Sequence, residues 1–121
     1  MGVLIKSADT RLASYGSLAP GQANHHQLAG MAGHWRQGTV RGWLGDAGWA
    51  APVGYPGLVL DQEGPLVHVQ VFESPELPQH WTRLDDFEGS DYRRVVTQVS
   101  TPDGEVDAWI YVLAERSARR P

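Results

Sequence analysis

The segment that most constrains this chain runs from Tyr92 to Leu113. Tyr92 to Ser100 reads as a strand, Thr101-Pro102-Asp103-Gly104 as a hairpin turn, and Val106 to Leu113 as the return strand. The return strand is apolar on both faces, with Val106, Ala108, Ile110 and Val112 on one and Trp109, Tyr111 and Leu113 on the other. A strand of that kind should be central in its sheet and buried.

The segments before it are mostly short strands set off by turns. Leu12 to Ser17 reads as a first strand ending at Gly16-Ser17, followed by an Ala19-Pro20-Gly21 turn. Asn24 can cap a short helix through Leu28, with Gly30 and Gly33 stopping it. Gly38 to Leu44 suits a strand, Gly45 to Pro56 a loop, and Gly57 to Leu60 a short apolar strand. Leu66 to Phe72 alternates, with Val67, Val69 and Val71 on one face. One good helix follows: Ser74 as N-cap, Pro75 as its first residue, and Leu77, Trp81, Leu84 and Phe87 on one stripe, with Gly89 at the C′ position. The chain of 121 residues, with 14 glycines for tight turns, makes one domain. The expected class is α+β: a small β-sheet curled into a barrel, with flanking short helices and frayed ends at 1–10 and 116–121.

Several chemistries are excluded or disfavoured. With no cysteine there can be no disulfide scaffold, thiolate metal site or cysteine nucleophile. A net charge of −4 argues against nucleic-acid binding. The five histidines show no HExxH or other ligand spacing, so neither a metal nor a cofactor is expected. No GxGxxG, GxxxxGK[ST] or GxSxG motif occurs. No segment approaches membrane-spanning length and no secretory core is evident, which makes the cytoplasm the default location and a membrane partner unexpected. The oligomeric state is left open.

Two short stretches carry candidate chemistry. In Tyr15-Gly16-Ser17-Leu18, a glycine and a small polar residue at a strand end let backbone N–H groups face a cleft, where they can hold a carboxylate or an oxyanion. The same step also occurs in ordinary strand-to-loop turns. In Leu84-Asp85-Asp86-Phe87-Glu88-Gly89, Glu88 stands at the unfavourable end of the helix dipole with Asp85 as a like-charged neighbour. Both effects raise its pKa, which suits a general acid/base near neutral pH. The alternative is a solvated helix end paired with Arg93 or Arg94.

Taken together, Tyr15-Gly16-Ser17-Leu18, Tyr55-Pro56-Gly57-Leu58, and Leu84-Asp85 with Glu88-Gly89 and Tyr92 resemble the γ-glutamylcyclotransferase-like family, which includes AIG2-like proteins and shares the BtrG-like fold. The resemblance runs from about Leu12 to Leu113. It implies a small β-barrel with flanking helices and one cavity. It also implies that the Tyr15–Leu18 backbone holds a γ-glutamyl group, that Glu88 is the catalytic acid/base, and that Tyr92 and Tyr111 lie near the pocket; as phenols, the two can donate hydrogen bonds to the bound carboxylate or oxyanion. The implied reaction converts a γ-glutamyl amine or amino acid to 5-oxoproline and a free amine; a non-catalytic small-molecule binding module on the same fold is the alternative. Two positions depart from many relatives: Val69-Gln70 stands for a Gly-Glu pair, where the valine should narrow any cavity it faces, and Ala19-Pro20 replaces an arginine.

Overall fold

The computed structural model describes residues 7–16, 18, 20–22, 25–45 and 57–114. Strands carry the fold: β1 (Arg11–Ser14), β2 (His34–Gly45), β3 (Gly57–Leu60), β4 (Leu66–Glu73), β5 (Tyr92–Thr101) and β6 (Gly104–Leu113). Among the described residues there is one α-helix, α1 (Trp81–Glu88), and 3-10 turns at Ser7–Thr10, His25–Gln27 and Leu77–Gln79. The sheet order is β3-β2-β4-β1-β6-β5, and a Thr39–Ser100 bridge joins β5 back to β2. The ring β2-β4-β1-β6-β5 therefore closes into a barrel, while β3 pairs with the far end of β2, from Gly42 to Gly45. As its two apolar faces require, β6 is central, parallel to β1 on one side and antiparallel to β5 on the other.

Strand alternation sorts the apolar side chains into two cores. Ala13, Val67, Val69, Val71, Val99, Ala108, Ile110 and Val112 fill the barrel interior. Leu12, Phe72 and Tyr111, pointing the other way from the same strands, pack with Leu77, Trp81 and Leu84. The helical segment thus covers one outer wall of the barrel. Val69 belongs to the interior core, 3% exposed, so its bulk is spent on barrel packing.

Several boundaries differ from the sequence reading, each for a physical reason. The frayed end expected through residue 10 is corrected for 7–10: Ala8 is buried, the Asp9 carboxylate accepts from the Trp109 indole (2.9 Å), and the Asp9 carbonyl accepts from the Trp81 indole (3.1 Å). β2 begins at His34 rather than Gly38, because its polar first residues pair across to β4 and Arg36 reaches Glu73 at 3.2 Å. Ser74, expected as the N-cap, instead closes a local turn, its hydroxyl accepting from the Glu76 N–H at 3.1 Å, while the cap positions fall to Glu76 for the 3-10 turn and His80 for α1. The α-helix starts only at Trp81, because Pro78 has no N–H for the Ser74 carbonyl. Leu77 bonds that carbonyl instead at 3.3 Å, making the first turn 3-10. Phe87 is 40% exposed and belongs to neither core. Expectations for Ser17, Ala19, Asn24, Tyr55, Pro56, the rest of the 46–56 loop, and residues 1–6 and 115–121 fall outside the described residues.

The barrel closes through a tight approach at Gly38. A Cβ there would come within 2.5 Å of Val99 Cγ1 and 2.9 Å of the Ser100 carbonyl oxygen. Gly38→Ala is therefore expected to lose about 1–3 kcal/mol of stability in urea unfolding. Gly30→Ala, where a Cβ meets no atom within 4 Å, should stay within about 0.5 kcal/mol of wild type.

Candidate active site

A cavity of about 200 Å³ lies between the end of β1 and the end of α1. Three parts of the chain build it. Leu12 to Gly16 and Leu18 form one wall as the chain leaves the barrel. Phe87 and Glu88 come from the last turn of α1, and Tyr92 and Tyr111 come from β5 and β6. The helix is fixed by its buried Trp81 and Leu84, together with Leu77 of the preceding 3-10 turn, so its last turn is carried to the same place as the end of β1. Gly89, at φ +85°, ends the helix with its N–H on the Asp85 carbonyl (3.1 Å) and lets the chain turn into β5. Of the residues singled out in the sequence, Tyr15, Gly16, Leu18, Glu88, Tyr92 and Tyr111 all line this cavity; Ser17 lies outside the described residues.

The environment of Glu88 is unusual for a carboxylate. Burial first, and the nearby Asp85 charge second, push its pKa from an ordinary 4.5 to about 7. Among the described residues it makes no ion pair: Arg94, one of its two expected partners, instead grips Asp85, Nε to Oδ1 at 2.8 Å and Nη2 to Oδ2 at 3.2 Å. Burial of Asp85 works against its charge, but the hydrogen bonds from Arg94 and Tyr111 overcome this and hold its pKa below the usual carboxylate range. The two carboxyls, three residues apart, are thus driven in opposite directions.

The tyrosines are committed as well. The Tyr111 hydroxyl donates to Asp85 Oδ1 at 2.7 Å. Its one proton is spent there, so the expected donor to a ligand is corrected to an acceptor. The Tyr15 hydroxyl donates to the Tyr111 carbonyl at 2.7 Å and is also bonded by the Leu58 backbone, which makes it a strut between β3 and β6. Burial pushes both phenols well above their ordinary pKa. Arg94 itself is sandwiched, its guanidinium 4.3 Å from the ring centroids of both Trp81 and Trp109.

Gly16 and its neighbours are arranged differently. A Cβ on Gly16 would meet nothing within 4 Å, and its φ is not positive, so chain packing does not demand glycine there. Among the described residues its N–H makes only a long contact to Ser14 Oγ, 3.4 Å. Sequence reasoning missed the Trp81–Arg94–Trp109 clamp and the pocket wall formed by Phe87. Trp81 and Asp85, four apart on one helix, and the cross-strand pair Arg94–Tyr111 were the available signals. Among the described residues no group of acidic or histidine side chains is placed to hold a metal, and no helix is long and apolar enough to cross a membrane.

A closed five-strand barrel with a few short helices matches the fold of γ-glutamyl cyclotransferase-like proteins. The chain belongs to the family described as gamma-glutamyl cyclotransferase, AIG2-like, whose model matches residues 12–121. Among solved structures it is similar to an AIG2-like protein from Mus musculus, with 26% identity, a TM-score of 0.69, and coverage of 93% of this chain and 84% of that one. It is also similar to YkqA from Bacillus subtilis, with 31% identity and a TM-score of 0.67; the match covers 86% of this chain but only 35% of YkqA. A structure titled gamma-glutamyl cyclotransferase shares the fold at 17% identity, with a TM-score of 0.62 and coverage of 87% of this chain and 66% of that one. Comparison with curated protein sequences gives no match.

The raised Glu88 pKa has a stability consequence. Between about pH 4.5 and 7 the folded state holds this proton more tightly than the unfolded chain does. Stability from this group is therefore full below pH 4.5 and falls as pH rises through about 7. Glu88→Gln, which never ionises, should be more stable than wild type at pH 8, by on the order of 3 kcal/mol at most. The difference should vanish near pH 4, as read by thermal unfolding at the two pH values.

Proposed function

We propose that this protein is a γ-glutamyl cyclotransferase that converts a γ-glutamyl amine or γ-glutamyl amino acid to 5-oxoproline and a free amine, with Glu88 as the general acid/base. The observation that carries this reading is Glu88 itself: a carboxyl without an ion pair among the described residues, lining the pocket beside Tyr15 and Gly16, with its pKa near 7.

The chemistry needs little else from the chain. The substrate's own α-amine attacks its γ-carbonyl, so no protein nucleophile is required. A C–N bond forms to close a five-membered ring, and the C–N bond to the leaving amine breaks. The α-ammonium loses two protons and the departing nitrogen gains two, so one carboxyl titrating near pH 7 can carry both in turn and end as it began. Tyr111, with its proton on Asp85, offers an oxygen lone pair suited to receiving an N–H of the amine and orienting it for attack. The open space and loosely held N–H at Gly16 suit a substrate carboxylate or the developing oxyanion. A cavity of about 200 Å³ is below the range for drug-sized ligands and suits one amino-acid-sized group. The leaving amine would then extend outward.

Incubation with a panel of γ-glutamyl amino acids and amines, assayed for 5-oxoproline, tests the proposal. Product is expected for at least one member, and none across the panel overturns the reading. Glu88→Gln should lower kcat/KM by roughly 10²–10⁴-fold; undiminished product would exclude Glu88 as the base. Because the carboxylate is the active form in the free enzyme, wild-type kcat/KM should rise with pH and level off above about 7.

A further inference from the structure

The Asp85–Arg94 pair is built more firmly than an ordinary surface ion pair. The Arg94 guanidinium meets Asp85 through two hydrogen bonds of 2.8 and 3.2 Å while lying against Trp81 from α1 and Trp109 from β6. Asp85 Oδ1 also accepts the Tyr111 hydroxyl, so helix, β5 and β6 are tied at one carboxylate. Tyr111 of this knot and Glu88, three residues from Asp85, both line the pocket. A planar, permanently charged guanidinium fork is the group that can hold a carboxylate in plane while stacking on rings; an ammonium cannot.

We propose that Arg94 is a positioning residue for this pocket: by pinning Asp85 it fixes both the negative charge beside Glu88 and the direction of the Tyr111 hydroxyl proton. Arg94 does not line the cavity, so it acts on a ligand only through these neighbours. The groups that face Glu88 are Asp85 on its own helix, Tyr15 beyond β1, Tyr92 on β5 and Tyr111 on β6. Asp85 is the charged member of this set, and Arg94 balances it. Removing the arginine leaves the Asp85 charge uncompensated and should make Glu88 hold its proton more tightly. Removing the Asp85 charge should do the opposite. The inference rests on the cyclotransferase reading only for what the pocket is used for.

The decisive measurement is NMR titration of the Glu88 side-chain carboxyl in wild type, Arg94→Gln and Asp85→Asn, with no substrate present. The midpoint is expected to move up in Arg94→Gln and down in Asp85→Asn, each by about half a pH unit or more. Loss of packing alone would not shift two folded variants in opposite senses. Midpoints that stay put, or that move together, overturn the proposal. Should Arg94→Gln not fold, Arg94→Lys replaces it: it keeps the charge but not the fork, and a smaller upward shift is expected, with none counting against the proposal. If the enzyme is active, the rising limb of its kcat/KM profile should follow the same two shifts. Absence of turnover in wild type would count against the cyclotransferase reading alone, because the titration does not depend on it.

Discussion

The structure depends on the side-chain alternation of a strand four residues long. β1 lies between β4 and β6 and contributes to both cores at once. Leu12 packs under the helix beside Phe72 and Tyr111, and Ala13 packs into the barrel beside Val71 and Ile110. A slip of one residue would exchange the two faces and place a leucine where the interior has room for an alanine. The same register sets where the chain leaves the barrel at Tyr15, and therefore which backbone groups meet the end of α1. Site and core are consequences of one pairing.

Within that frame the two acidic residues of the last helical turn have been given opposite surroundings. Asp85 faces a guanidinium, a phenol and water; Glu88 faces a cavity and no cation among the described residues. The first arrangement stabilises a charge and the second penalises one. An unpaired, half-buried carboxylate costs the folded state stability whenever it ionises, and shifted groups of this kind cluster at functional sites. The Tyr15 hydroxyl shows the reverse: it is satisfied by backbone on either side, donating to the Tyr111 carbonyl and bonded by Leu58.

Much of this was legible in the sequence. Strict alternation put Val67, Val69 and Val71 on one face, which is the barrel interior, and the doubly apolar strand from Val106 to Leu113 marked itself as central. The Pro102-Asp103 turn, with Gly104 at φ +115°, was readable because only a few residue types suit it. The motif residues that line the cavity were found by pattern and resemblance. What escaped notice depends on contacts between distant segments. Polar residues at the start of β2 gave no alternation to read, yet they pair across to β4. Helical spacing put Phe87 in the core stripe, yet in a helix that begins at Trp81 the stripe through Trp81 and Leu84 runs on to Glu88 and leaves Phe87 at its edge, 40% exposed. The direction of the Tyr111 proton could not be inferred until Asp85 was seen beside it.

The parallel pairing of β1 with β6 carries one more implication. Tyr15 and Tyr111, joined by a hydrogen bond, are 96 residues apart in the chain, and Asp9 and Trp109 are 100 apart. Contacts that close so long a loop are costly in chain entropy, which is lost before the contact repays it. The pocket walls come from both ends of the barrel, so no fragment lacking either end can contain them. An ordered pocket in this protein is a report that the whole barrel has closed.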